Sequence, residues 1–172
     1  MNNQVVLVNE NDDEIGLMPK LEAHQKGVLH RAFSIFIFNT KGEMLLQQRA
    51  FGKYHSEGLW SNTCCSHPYP NESTLNAAKR RLYEEMGMHS SLHFLYSFRY
   101  EATLDKGLIE HELDHIFWAI SDAEPQLNRE EVLDYKYIPV KDLQKDIRER
   151  PEQYTEWFKI CLDDVISKIK FQ

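Results

Sequence analysis

Glu72-Ser73-Thr74-Leu75-Asn76-Ala77-Ala78-Lys79-Arg80-Arg81-Leu82-Tyr83-Glu84-Glu85-Met86-Gly87 is the stretch that decides the fold. Leu75, Ala78, Leu82 and Met86 recur at helical spacing, which predicts a helix over 72–86 with one apolar face. Ser73 has the chemistry of an N-cap and Gly87 that of a stop. The polar face carries Arg80, Arg81, Glu84 and Glu85. Arg80/Glu84 and Arg81/Glu85 stand at i,i+4, where opposite charges meet on a helix surface.

Short apolar runs surround this helix. The β-branched run 5–8 predicts a strand, and 14–18 returns beside it across Asn11-Asp12-Asp13. Residues 21–26 predict a short helix carrying His24. Residues 33–38 are almost continuously apolar and pass through Asn39-Thr40-Lys41-Gly42 into 44–48, a hairpin. The segment 50–63 is irregular, and 94–100 and 113–120 predict further strands. Pro151 opens a last helix, with Tyr154, Trp157, Phe158, Cys161, Leu162, Val165 and Ile169 on one stripe. Strands around a central helix, closed by a terminal helix, give an α/β sandwich in one domain over 1–172.

Composition narrows the functional class. A net charge of −7 argues against a nucleic-acid binder that relies on bulk positive charge, though local Arg and Lys can still clamp an anion. Three cysteines, two of them adjacent, make a poor disulfide framework and point to a reducing compartment. No apolar run approaches the roughly 18 residues of a membrane span. The N-terminus lacks the order of a signal peptide. The expectation is a cytoplasmic, near full-length protein without membrane partners.

The chemistry gathers around Asn62-Thr63-Cys64-Cys65-Ser66-His67. His24 and His30 precede it, and Glu110-His111-Glu112 follows. A strand period of two puts Glu110 and Glu112 on one face and His111 on the other. Like charges that close repel unless a cation lies between them or one holds a proton. A divalent metal resolves the conflict, and His24, His30 and His67 complete a three-His, two-Glu shell suited to Mn, Fe, Zn or Mg. Two adjacent Cys on a strand cannot both point inward. Cys65 beside a metal and Arg side chains would be a reactive thiol, while Cys64 suits packing.

Glu72, Arg80, Glu84, Glu85 and Gly87 also match most of the Nudix spacing counted from position 66. That motif sets carboxylates on one helix face to bind Mg²⁺ on a diphosphate. Ser66 stands where Gly is usual, and Arg81 replaces a Glu of the hydrolase metal set. Arg is a natural phosphate partner, so the substitution argues against hydrolysis and is compatible with diphosphate binding.

Leu29-His30-Arg31-Ala32-Phe33-Ser34, Leu46-Gln47-Gln48-Arg49, Asn62 to Pro68, Arg80-Arg81-Leu82 and Glu110-His111-Glu112-Leu113-Asp114 together resemble type I isopentenyl diphosphate isomerase, over roughly residues 5–140 in the same order. The resemblance implies a Nudix-like α/β/α sandwich with mixed sheets around a central helix. It implies an isomerase that moves a double bond in a prenyl diphosphate, as a monomer or homodimer. Cys65 and Glu112 match the acid/base pair, with Tyr100 as an active-site tyrosine. His24, His30, His67, Glu110 and Glu112 match the shell of one divalent metal (Mn, Mg or Zn). Glu85 matches the ligand of a second Mg²⁺ on the substrate diphosphate. Lys20, Arg49, Lys53 and Arg81 match diphosphate contacts, and Trp157 an active-site aromatic. A cationic intermediate needs such a face, from Trp157 or Trp60. The loop Tyr54-His55-Ser56-Glu57-Gly58 departs from the aromatic-Pro-Gly usual there. The competing readings are a Nudix diphosphatase and a catalytically silent Nudix-fold binding module.

Overall fold

A computed structural model describes residues 3–169. In chain order the elements are β1 (Gln4–Val8), β2 (Glu14–Pro19), α1 (Lys20–Lys26), β3 (His30–Phe38) and β4 (Glu43–Arg49). Then come β5 (Trp60–Ser61), β6 (Cys64–Ser66), α2 (Thr74–Met86), β7 (His93–Thr103) and β8 (Ile109–Ile120). The chain ends with β9 (Val132–Pro139), α3 (Val140–Glu149) and α4 (Glu156–Lys168).

β3 is the hub. It pairs antiparallel with β1, β4 and β6, and parallel with β8 from His30↔Glu112 to Phe38↔Ile120. A strand flanked on both faces is apolar throughout, which accounts for the continuous run at 33–38. Phe33, Ile35 and Ile37 pack with Ala77, Ala78, Leu82 and Met86 of α2. Phe36 and Phe38 pack the other way, with Trp157, Phe158 and Leu162 of α4. The architecture is an α/β/α sandwich, with all strands joined in one branched nine-stranded network. Burying each such Phe or Ile contributes about 1.5–3 kcal/mol.

The central helix forms as its sequence dictates. Asn76 N–H donates to Ser73 Oγ at 3.2 Å, and Gly87 closes the helix in a left-handed conformation (φ 62°). A Cβ at Gly87 would meet the Gln126 carbonyl oxygen at 2.5 Å, so glycine is required there for space as well as for φ.

Three expectations need revision. The 39–42 turn does lead into β4, but β4 pairs chiefly with β9, a strand outside the sequence reading. α3 was also outside it. Pro151 opens a short 3-10 turn (Pro151–Gln153) instead of the last helix. Tyr154 is extended because it bridges to Trp60, and Thr155 N–H donates to the Trp60 carbonyl at 3.0 Å. α4 therefore starts after Thr155, while the apolar stripe of that segment is buried as expected. No helix among the described residues is long and apolar enough to cross a membrane.

Candidate active site

The parallel register of β3 with β8 sets His30 directly beside Glu112. Pairing of β6 with β3 brings His67 to the same end, and α1 packs His24 over it with no exposed surface. Two of the three imidazoles are oriented by backbone carbonyls. His24 Nδ1 lies 2.7 Å from the Lys20 carbonyl and His30 Nδ1 lies 2.8 Å from that of Val28. If each Nδ1–H is donated there, Nε2 keeps its lone pair.

These nitrogens converge on one carboxylate oxygen. Glu112 Oε1 lies 2.9 Å from His67 Nε2, 3.4 Å from His30 Nε2 and 4.0 Å from His24 Nε2. His30 and His67 bring their Nε2 atoms to 3.2 Å of each other, and His67 Nδ1 is buried without a partner. Burial pushes His67 down to about 3, so its ring is neutral at physiological pH. Imidazole nitrogens gathered around a carboxylate fit a divalent cation. His24, His30, His67 and Glu112 offer donor atoms all within 4.8 Å of one another. Glu110 falls instead in an overlapping group with His24 and His55. Four of the five residues expected from sequence thus gather in one group, and Glu110 falls in a second that shares His24.

Tyr100 links the two carboxylates. Its hydroxyl lies against Glu110 Oε1 and 2.8 Å from Glu112 Oε2. Burial, then the charge of Glu112, raises Glu110 well above the carboxylate range. Burial acts the same way on Glu112, but its contacts with the His30 and His67 rings overcome it and hold that group low. Glu110 and Glu112 do share a face, whereas His111 points away, its Nδ1 3.0 Å from the Gly27 carbonyl.

The same alternation separates the cysteines. Cys64 is fully buried on the α2 side, where its thiol donates to Glu85 Oε2 at 3.2 Å. Cys65 faces the other way into the cavity that Glu112, Arg49 and Trp157 also line. Its thiol donates to Asn62 Oδ1 at 3.1 Å, and Trp157 Nε1–H donates to its sulfur at 3.1 Å. The Asn62 amide cannot turn, because its Nδ2 donates to the carbonyls of Ile35 (3.1 Å) and Cys64 (3.0 Å). Burial, then the charge of Asp114, pushes the Cys65 thiol up to about 12. A buried thiol raised that far keeps its proton at neutral pH, which suits the acid of the acid/base pair that the sequence resemblance implies.

Four cations stand beside this pair. Lys20, Arg49, Lys53 and Arg81 line the same cleft as Cys65 and Glu112. Lys20 makes no ion pair among the described residues; its ammonium lies over the Tyr54 ring, 4.6 Å from the centroid. Burial, then the charges of Lys53, Arg81 and Arg49, lowers it to about 8. A lysine crowded by three other cations calls for an anion. Arg81 is held on more sides than its i,i+4 pairing with Glu85 alone implies. It is paired with Glu85 (2.5 Å), Glu84 (2.9 Å) and Glu131 (3.4 Å), and Lys53 is paired with Glu131 as well. Burial opposes the charge on Glu85. Arg81, Lys53 and hydrogen bonds from Gln47 and Cys64 nevertheless keep it ionised. The other carboxylates of the helix motif are spent on structure, since Arg80 binds Glu72 at 2.8 Å and Glu84 at 3.2 Å.

Sequence reading missed Asn62 as a clamp, His55 as a member of the cluster, and Glu131 among the cations. It also missed Asp114, a buried carboxyl that accepts from Ser34 Oγ at 2.7 Å. Period two along β8 was the available signal for Asp114, because it continues the face of Glu110 and Glu112. Trp60 does not line the cleft, and Lys136 covers its ring at 4.2 Å.

Comparison with known proteins agrees with this geometry. The NUDIX domain family model matches residues 28–158. Among solved structures, DR0079 from Deinococcus radiodurans superposes with a TM-score of 0.71 at 18% identity, covering 85% of this chain and 89% of that one. At that identity the likeness speaks for the fold alone. Isopentenyl-diphosphate Delta-isomerase 2 of Aromatoleum aromaticum is 52% identical across 97% of this chain and 88% of its own length. The isopentenyl-diphosphate Delta-isomerase of Pectobacterium atrosepticum is 53% identical across 91% and 88%. The chain belongs to the NUDIX family and, within it, to the isopentenyl-diphosphate Delta-isomerases.

Proposed function

We propose that this protein interconverts isopentenyl diphosphate and dimethylallyl diphosphate, by adding a proton at one carbon of the double bond and removing one from another. The observation that carries this reading is that a protonated thiol (Cys65), an ionised carboxylate (Glu112) and an unpaired cation (Lys20) line one cleft.

An unactivated alkene is a weak base, so a proton donor must be held against it and kept protonated until use. Cys65 meets that need, with its sulfur fixed by Asn62 and Trp157. Addition of its proton to the terminal carbon leaves tertiary carbocation character. The face of the Trp157 ring stabilises that charge. Glu112 then takes the proton from the neighbouring carbon and the double bond re-forms. Tyr100, within reach of both carboxylates, moves the proton on between them. The diphosphate is a handle throughout, gripped by Lys20, Arg49, Lys53 and Arg81, so that binding far from the reacting carbons positions them. Glu85 would hold a Mg²⁺ that accompanies the diphosphate. His24, His30, His67, Glu110 and Glu112 would hold a divalent ion (Mn²⁺, Mg²⁺ or Zn²⁺). That ion supplies positive charge that lets both carboxylates ionise side by side.

The hydrolase alternative loses support at the helix motif, where Glu72 and Glu84 are engaged by Arg80 and where Arg81 replaces an acidic ligand. A silent binding module would have no use for a clamped thiol facing a carboxylate. Three free thiols among the described residues support a reducing, cytoplasmic setting. The test is to strip divalent ions, restore Mn²⁺ or Mg²⁺, and follow isopentenyl diphosphate by phosphorus and proton NMR. Metal-dependent appearance of dimethylallyl diphosphate is expected. Full turnover in verified metal-free buffer would remove the metal site from this account.

A further inference from the structure

Two buried hydroxyls, those of Ser61 and Thr155, stand behind the Cys65 thiol, and neither lines the cleft. Ser61 is 1% exposed, and Asn62 and Thr155 have no exposed surface. Thr155 occupies the N-cap position of α4, where a threonine oxygen ordinarily accepts from the first turn of its own helix. It makes no such bond among the described residues. Its Oγ1 lies 2.9 Å from Ser61 Oγ instead. The helix forgoes a cap, and the hydroxyl joins a chain that ends at the sulfur.

The direction of every bond in this chain is fixed. Asn62 spends both amide hydrogens on the carbonyls of Ile35 and Cys64, so its Oδ1 only accepts. Ser61 Oγ lies 2.9 Å from that oxygen and must donate to it. Ser61 has one hydrogen, so between the two hydroxyls it is Thr155 that donates. The Cys65 S–H is the second donor to Asn62 Oδ1, at 3.1 Å. The proton that an alkene would receive is thus turned toward Asn62, and it must swing away before it can transfer. A buried amide oxygen that loses its only donor carries a desolvation cost. With Ser61 still donating, Asn62 Oδ1 never stands bare.

We propose that Ser61, held in place by Thr155, is a positioning residue for proton delivery by Cys65: it occupies the Asn62 oxygen, so that the S–H is aligned at rest yet free to turn into the cleft. This rests on the reading of Cys65 as the acid of the isomerase. Two donors share one acceptor, so the thiol is held less tightly than it would be alone.

Infrared difference spectra of the metal-loaded protein against the matching Cys65→Ala protein isolate the Cys65 S–H stretch. The band should lie below that of a free thiol. A free-thiol frequency would overturn the proposal, whether or not any variant folds. Ser61→Ala leaves the thiol as sole donor to Asn62 Oδ1, so the band should move lower still. Its kcat should fall about tenfold, with KM unchanged because Ser61 does not line the cleft. An unmoved band or an unchanged kcat in that variant would overturn the proposal. Thr155→Val should shift the band and kcat the same way by less, and Thr155→Ser, which keeps the hydroxyl, should match the unsubstituted protein. Equal losses in the two Thr155 variants would also overturn it. Cys65→Ala tests the underlying reading separately: full isomerisation there would mean that the thiol is not the acid, wherever the band lies.

Discussion

The indole N–H of Trp157 donates to the sulfur of Cys65 at 3.1 Å, joining the last helix to a three-residue strand far upstream. The bond keeps a sulfur lone pair occupied while the S–H points at Asn62. It also fixes an aromatic face beside the thiol, over which Arg49 lies at 5.2 Å. Trp157 therefore has two separable parts, a donor and a ring. Trp157→Phe removes only the donor and should lower kcat by about tenfold, the worth of one hydrogen bond of about 1–1.5 kcal/mol. Trp157→Ala removes both and should cost considerably more. Equal losses in steady-state kinetics would mean that the ring does nothing.

The two cysteines should separate cleanly. Cys65→Ala should lose at least about three orders of magnitude in kcat, the loss of a positioned proton donor. Cys64→Ala should keep most of its activity, because that thiol lies on the α2 side against Glu85. The reverse ranking would contradict the assignment of faces along β6.

Lys20 sets a pH dependence. Its ammonium is lowered to about 8 from an ordinary 10.5, so it is charged below about 8 and neutral above. Affinity for inorganic diphosphate, measured by calorimetry, should fall as pH rises through about 8. Lys20→Met should bind more weakly at pH 7 and show no such fall. An unchanged limb in that variant would assign the titration to another group.

Arg81→Ala should raise KM by the equivalent of about 1.5–3 kcal/mol, the loss of a charged hydrogen bond, with little phosphate released. Removing the arginine also leaves Glu84, Glu85 and Glu131 facing one another, so part of the effect is repulsion of the diphosphate. Efficient phosphate release by this variant would show that Arg81 alone separates this chain from a hydrolase.

Which parts were legible follows from which forces are local. The helix 74–86 was, because its period, cap and stop all lie within one short stretch. Glu110 and Glu112 were, because period two is a property of any strand. β9 was not: Val132-Leu133-Asp134-Tyr135-Lys136-Tyr137-Ile138-Pro139 becomes a strand by pairing with β4, some ninety residues upstream. The break at Tyr154 depends on its bridge to Trp60, so Pro151 alone misled. His55 sits in a loop without periodicity, and only the fold brings it to His24 and Glu110. The pair of Arg81 with Glu85 was legible at i,i+4, but its contact with Glu131 was not, because no local pattern connects the two.

The central claim is that Cys65 delivers a solvent-derived proton to one carbon and Glu112 removes one from another while the diphosphate stays intact. Incubating the metal-loaded protein with isopentenyl diphosphate in D₂O, and reading products by proton, deuterium and phosphorus NMR, tests it directly. The expected result is dimethylallyl diphosphate with deuterium in a methyl group and no free phosphate. Release of phosphate without isomerisation, or an isomer free of deuterium, would contradict it.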